Sequence, residues 1–213
     1  MSRGRGGIGA VRVPVGPGGR PVRLTGGEQG GRRLRVPAGG LRPTQDRVRA
    51  ALCSSLAAHF PEARVLDLFA GTGAMGLEAW SRGAAQVEWV ESSKAVLRDL
   101  RANVAACGVP PEAGRVTAAD VFQRLAHPCL GKGVDLVLAD PPYGQAREEG
   151  WLAKLAILLA EGGWIKPGGV WVYETEGRDA LPELAGWRLA RDKRYGSTRL
   201  LFWVREGRDG RNG

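Results

Sequence analysis

The 213-residue chain has a mass of 22.7 kDa, 43% hydrophobic residues and a formal net charge of +9, with an isoelectric point of about 10.2. That length accommodates one α/β domain with an appendage and excludes two large domains. No apolar run reaches the roughly 18 residues of a bilayer span, and the opening MSRGRGGIGA lacks the apolar segment of a secretory signal, so a cytoplasmic protein without membrane contact is expected. Cys53, Cys107 and Cys129 form no Cys-x-x-Cys pair, and His59 and His127 have no neighbours at ligand spacing, which argues against a disulfide framework and a metal site.

The charge is unevenly distributed. Residues 1–47 hold ten arginines against Glu28 and Asp46, a net of +8, whereas the rest of the chain sets 21 basic residues against 20 acidic ones. A basic amino-terminal segment is the footprint of a polyanion. Residues 1–21, rich in Gly and Arg, read as a disordered tail. Residues 22–36, VRLTGGEQGGRRLRV, alternate apolar side chains on either side of a Gly-rich centre, the pattern of a β-hairpin that would expose Arg32 and Arg33. After PAGGLRP, Thr44 is placed to cap a helix on which Val48, Ala51, Leu52 and Leu56 recur, running to about His59 before Pro61 stops it.

From Arg64 onward strands and helices alternate, the signature of a parallel sheet covered on both faces. The strands are ARVLDLF, QVEWV, RVTAA, VDLVLA and GVWVYE; helices follow GTGAMG through Trp80, span residues 93–106, occupy the short VFQRL stretch and span residues 149–159. WRLARDKRY and TRLLFWV flank only Gly196 and Ser197 and predict an antiparallel hairpin at the end of the sheet. Five parallel strands closed by such a hairpin resemble the seven-stranded, Rossmann-like class I methyltransferase fold. The expected organisation is a tail (1–21), a hairpin-and-helix extension (22–60), a catalytic domain (61–205) and a charged tail (206–213).

Gly71-Thr72-Gly73-Ala74-Met75-Gly76 is a G-x-G-x-x-G between a strand and a helix, where glycine permits a tight turn and the helix amino terminus offers free N–H groups. Glu91 ends the next strand, 20 residues after Gly71, where a carboxylate accepts ribose hydroxyls. This pair alone fits a nicotinamide oxidoreductase equally well. Asp67, in VLDLFAGTG, separates the readings: a carboxylate near the glycine turn repels a pyrophosphate and attracts the ammonium of S-adenosylmethionine. Asp120, after RVTAA, is placed to accept from the adenine amine or to cap the helix VFQRL.

Asp140-Pro141-Pro142-Tyr143 follows the apolar strand VDLVLA at the carboxyl edge of the sheet. The prolines remove two backbone donors, so the turn presents acceptors. An exocyclic base amine has its lone pair delocalised into the ring. Asp140 and a prolyl carbonyl, Pro141, can each hold one N–H, aiming the lone pair at a methyl donor, while Tyr143 stacks on the extruded base. None of the cysteines is placed as a nucleophile, which disfavours methylation of a ring carbon.

At this level of detail the chain resembles the RsmD family of 16S ribosomal RNA guanine-N2 methyltransferases over residues 22–204. The shared segments are LTGGEQGGRRLRVP, LRPTQDRVRAAL, VLDLFAGTGAMGLEAWSRGA, VEWVESS, VDLVLADPPY and YGSTRLLFWV. The glycine loop and DPPY mark only the superfamily; the RPTQDRVR segment joined to the hairpin is more specific. The resemblance implies S-adenosylmethionine held around Gly71, Gly73, Glu91 and Asp120, and a reacting amine at Asp140–Tyr143. It further implies a substrate side containing Arg42, Thr44, Asp46 and Arg47, and a target in the small ribosomal subunit or its assembly intermediate, the family's guanine-966. Cations at a helix start oppose the helix dipole, so Arg42 and Arg47 need a partner such as phosphate or Asp46. DPPY also tolerates adenine-N6 and cytosine-N4 in DNA, and that alternative stays open at this point, as does a noncatalytic RNA-binding role. A monomer is expected.

Overall fold

The computed structural model describes residues 22–36, 46–177 and 180–207. The tail 1–21, the cap Thr44, Arg42 and most of the tail 206–213 lie outside them. Among the described residues seven strands form one sheet: β1 (Arg64–Leu68), β2 (Gln86–Glu91), β3 (Gly114–Ala118), β4 (Val134–Ala139), β5 (Ile165–Glu176), β6 (Trp187–Tyr195) and β7 (Thr198–Arg205). Their order is β3-β2-β1-β4-β5-β7-β6. The first five run parallel, and β7 pairs antiparallel with both β5 and β6. The order reverses between β1 and β4, the switch point at which doubly wound sheets open a crevice beyond the carboxyl ends of their strands.

The apolar runs of the inner strands are buried on both faces, and alternation divides each between two cores. Val65 of β1 packs with Leu136, Leu138, Val172 and Phe202, whereas Leu66 and Leu68 pack on the opposite face with Val137, Trp171 and Leu201. The first face is covered by α1 (Asp46–Ser55), α2 (Ala74–Ser81) and α3 (Lys94–Ala106); the second by α4 (Val121–Ala126) and α6 (Trp151–Glu161), with α5 (Tyr143–Glu148) against α6. Six of the seven tryptophans are buried, in line with their apolar spacing, and Trp80 is half-buried.

Several element boundaries differ from the expectation. The first helix ends at Ser55, and a separate 3₁₀ turn covers Ala57–His59. α2 starts inside the glycine motif, at Ala74. The helix expected over residues 149–159 is α6, two residues further along, and an additional helix that the sequence reading does not predict, α5, begins directly on Tyr143 and is separated from α6 by Gly150 (φ 64°). β5 begins at Ile165, earlier than GVWVYE suggests.

The amino-terminal segment is a hairpin of one antiparallel bridge, Arg23 with Arg33, rather than two regular strands. Leu24 and Gly31 add backbone bonds at 3.0 and 2.8 Å to Arg32 and Leu24 carbonyls. Its irregularity follows from docking. Gly27 (φ 74°) approaches Ser81 so closely that a Cβ would stand 1.9 Å from the Ser81 carbonyl oxygen, and the Glu28 N–H donates to that oxygen at 2.8 Å. Val22, Leu24 and Leu34 enter the first core while Arg23, Arg32, Arg33 and Arg35 stay exposed. A buried ion network locks the arrangement: Arg49 donates to Glu78 at 3.1 Å, to Asp46 at 2.7 Å and to the Arg23 carbonyl. Glu78 also accepts from the Thr25 N–H at 2.6 Å and pairs with Arg82. Removing either Arg49 or Glu78 would strand its partner's buried charge, at a cost of about 3–5 kcal/mol.

Candidate active site

A cavity of about 1110 Å³ opens at the switch point. It is lined by Asp67, Gly71, Glu91, Asp120 and the whole of Asp140–Tyr143, so the two motifs, more than sixty residues apart in the chain, share one space. Strand alternation explains the meeting. Asp67 faces the α2 side of the sheet together with its β2 partner Trp89, and Glu91 follows two residues later on that face. In β4 and β5, Ala139 pairs with Tyr173, so the next residues, Asp140 just past β4 and Glu174 near the end of β5, lie side by side on the same face as Asp67. Four carboxylates thus run along the carboxyl edge of β2, β1, β4 and β5.

On the β1–β3 side each carboxylate is held by backbone amides. Asp67 Oδ2 accepts the Gly76 N–H of α2 at 2.8 Å. Glu91 Oε2 accepts from Gly71 at 2.9 Å and Oε1 from Ser93 at 2.7 Å. Asp120 caps α4, accepting from the Gln123 N–H at 3.0 Å, which realises its capping alternative and leaves it on the cavity wall. Burial drives the Asp67 carboxyl well above the ordinary carboxylate range; the Gly76 amide opposes the shift, and the charges of Asp140 and Glu91 add to it. Gly73 does not line the cavity. It caps α2 with φ 80°, and a Cβ there would lie 2.4 Å from Leu100 Cδ1, so it sets the path of the loop.

On the β4–β5 side the turn Pro141-Pro142 leads straight into α5. The Tyr143 hydroxyl donates to Glu174 Oε1 at 2.5 Å, and burial first, then the Glu174 charge, raises its titration above that of a free phenol. Glu174 is buried, Glu176 and the β6–β7 turn at Ser197 and Thr198 complete the wall, and none of these four was singled out from the sequence. Phe69 also escaped notice. It takes φ 58°, uncommon for a residue with a side chain, at the exit of β1, and its ring stacks on Trp151 of α6 with centroids 5.4 Å apart while Phe122 meets both edge-on.

Among the described residues the lining carries six carboxylates, Asp67, Glu91, Asp120, Asp140, Glu174 and Glu176, against one cation, Arg49, which is already engaged by Glu78 and Asp46. Such a cavity suits a cationic ligand and repels a pyrophosphate. Of the predicted RNA-side residues, the described ones lie elsewhere: Arg32, Arg33 and Arg47 are exposed and do not line it, and Arg32 reaches the Ala106 carbonyl at the end of α3. Asp46, one of the partners open to Arg42 and Arg47, pairs with Arg49. Cys53 and Cys107 are buried, with thiols pushed up by burial to about 12 and about 11, inert rather than nucleophilic. Among the described residues no cluster of histidine, cysteine or carboxylate side chains is placed to hold a metal ion, and no helix is long and apolar enough to cross a membrane.

The family model described as "Conserved hypothetical protein 95" matches residues 22–204. The chain is 36% identical over 200 residues to Ribosomal RNA small subunit methyltransferase D of Escherichia coli (strain K12), covering 92% of this chain and 96% of that one. The chain belongs to the RsmD family. The enzyme of that name from Haemophilus influenzae is 35% identical over 177 residues, 82% of this chain and 89% of its own. Among solved structures, a putative methyltransferase of E. coli, yhhF, superposes with a TM-score of 0.78 at 37% identity, covering 88% of this chain and 99% of its own. As a member of the RsmD family the chain is an S-adenosylmethionine-dependent methyltransferase of the class I fold, and the nicotinamide alternative is set aside. The acid-lined cavity fits that cofactor, whose ammonium and sulfonium are both cationic.

Proposed function

We propose that this enzyme methylates the exocyclic N2 of a guanine in 16S ribosomal RNA, within the small subunit or an assembly intermediate, as a cytoplasmic monomer. The observation that carries the reading is the placement of Asp140-Pro141-Pro142-Tyr143 on the wall of the same acidic cavity as the glycine loop. The names of the relatives, ribosomal RNA small subunit methyltransferases, supply the substrate. S-adenosylmethionine, when bound, supplies a methyl group activated by a positively charged sulfur. Asp67 and the loop at Gly71, shaped by Gly73, would hold its amino acid end, Glu91 its ribose hydroxyls and Asp120 its adenine amine.

The remaining work falls to the acceptors of the base side. Asp140 and the Pro141 carbonyl each take one N–H of the amine, which directs the nitrogen lone pair across the cavity and away from the ring. Asp140 then accepts the proton that the methylated nitrogen sheds. Tyr143, its hydroxyl tied to Glu174, offers a ring face of fixed orientation on which a flipped base can stack. The exposed Arg32, Arg33 and Arg47 meet phosphates outside the cavity, and Arg42 and Thr44, which lie outside the described residues, are assigned to the RNA as well. The test is tritium transfer from labelled S-adenosylmethionine to unmodified small subunits, followed by nucleoside digestion. N2-methylguanosine is the expected product; label in DNA bases or in another nucleoside would overturn the assignment.

A further inference from the structure

The four-carboxylate edge contains one more group than the transfer itself uses. Glu174, near the end of β5, lies beside Asp140 in the β4–β5 register, shares its face of the sheet, lines the cavity and is only 4% exposed. Its bond from the Tyr143 hydroxyl fixes where the carboxylate stands. A carboxylate has about four acceptor positions and no donor, so it can serve a phenol and a base together.

The three candidate amines differ in the ring nitrogen beside them. In guanine one of the two flanking ring nitrogens, N1, bears a hydrogen; in adenine (N1) and cytosine (N3) the single flanking ring nitrogen is a bare acceptor. A wall that places one carboxylate at the amine and a second next to it matches guanine's two adjacent donor groups, and sets lone pair against lone pair for the other two bases. Glu176, two residues on, is exposed, so water can solvate it and blunt any such discrimination.

We infer that Glu174 is the base-specificity residue, accepting the guanine N1–H while Asp140 and Pro141 hold the 2-amine. The inference rests on the guanine-N2 reading above and explains how a DPPY turn, which tolerates three amines, becomes selective for one.

The experiment replaces the target guanine, in reconstituted small subunits, by 2-aminopurine, which keeps the 2-amine but presents N1 as an acceptor. The wild-type enzyme is expected to prefer guanine by roughly 100-fold or more in kcat/KM, because a buried acceptor is left facing an acceptor. Glu174→Gln, whose amide can donate to N1, is expected to narrow that ratio at least about tenfold. Cofactor binding by the variant reports its folding, and the wild-type comparison stands without it. Equal use of both bases by the wild type, or an unchanged ratio in Glu174→Gln, overturns the role of Glu174. Absence of transfer to unmodified guanine itself would instead overturn the guanine reading, and with it this inference.

Discussion

The two halves of the cavity are built on different principles. On the β1–β3 side every carboxylate is anchored to backbone amides of its own loops: Asp67 to Gly76, Glu91 to Gly71 and Ser93, Asp120 to Gln123. On the β4–β5 side the contact that orders the wall is between side chains, Tyr143 to Glu174, bridging α5 and β5. A backbone anchor fixes a carboxylate wherever the chain path is kept. A side-chain pair can be exchanged by substitution without rerouting the chain. The first construction suits a ligand common to a whole superfamily; the second suits a base that differs from one methyltransferase to the next.

The sharpest way to separate the halves is Asp140→Ala. It deletes an acceptor from the base side and touches none of the backbone anchors, so kcat is expected to fall about 100- to 1000-fold, the usual cost of losing one preorganised polar partner at the reacting group. Titration calorimetry should return an unchanged affinity for S-adenosylmethionine. Retained turnover would remove Asp140 from the chemistry; loss of cofactor binding would mean the halves are not separable.

Asp67→Asn probes the opposite side. The amide keeps an acceptor for the Gly76 N–H but carries no charge, so affinity for the cationic cofactor should fall about tenfold, the scale of one charge-assisted bond. A second signature lies in the ligand-free protein. Because the folded carboxyl titrates above its ordinary value of 3.8, the folded state binds more protons than the unfolded chain between those two values. Wild-type stability therefore declines as pH rises through that window, and lower pH favours the fold. Urea unfolding at several pH values should show this decline in the wild type and a shallower one in Asp67→Asn. Parallel curves would show that the shift is not expressed in stability.

How much of this was legible beforehand follows the same division. Contiguous motifs were readable: GTGAMG and DPPY each carry their own spacing, and the apolar runs around them imply the parallel sheet and the terminal hairpin. Glu174 was not, because VYETE looks like any strand leaving a core, and its neighbour Asp140 lies 34 positions earlier, brought alongside only by the β4–β5 register. Helix α5 is not legible in the sequence, since YGQARE is short and polar and opens directly on two prolines. The Arg49–Glu78 pair was hidden for a further reason: buried charges reveal themselves through their partners, here 29 residues apart, and a single arginine at a helix start reads as solvated. The basic segment was legible by composition, yet its docking on α2 depends on a close approach at Gly27 that composition does not express.

Asp120 is the weakest member of the cofactor side and the one that tests where that side ends. Its carboxylate caps a six-residue helix and is itself exposed, so Asp120→Ala should cost about 1 kcal/mol of unfolding free energy, the ordinary value of a lost N-cap. Asp120→Asn, which keeps a capping oxygen, should restore most of that stability. Cofactor affinity then decides the rest. If Asp120 also accepts from the adenine amine, the alanine variant binds S-adenosylmethionine more weakly than the wild type while the asparagine variant, with its oxygen still on the cavity wall, lies between them. If affinity is unchanged in both, the residue serves α4 alone, and the backbone-anchored construction stops at Glu91.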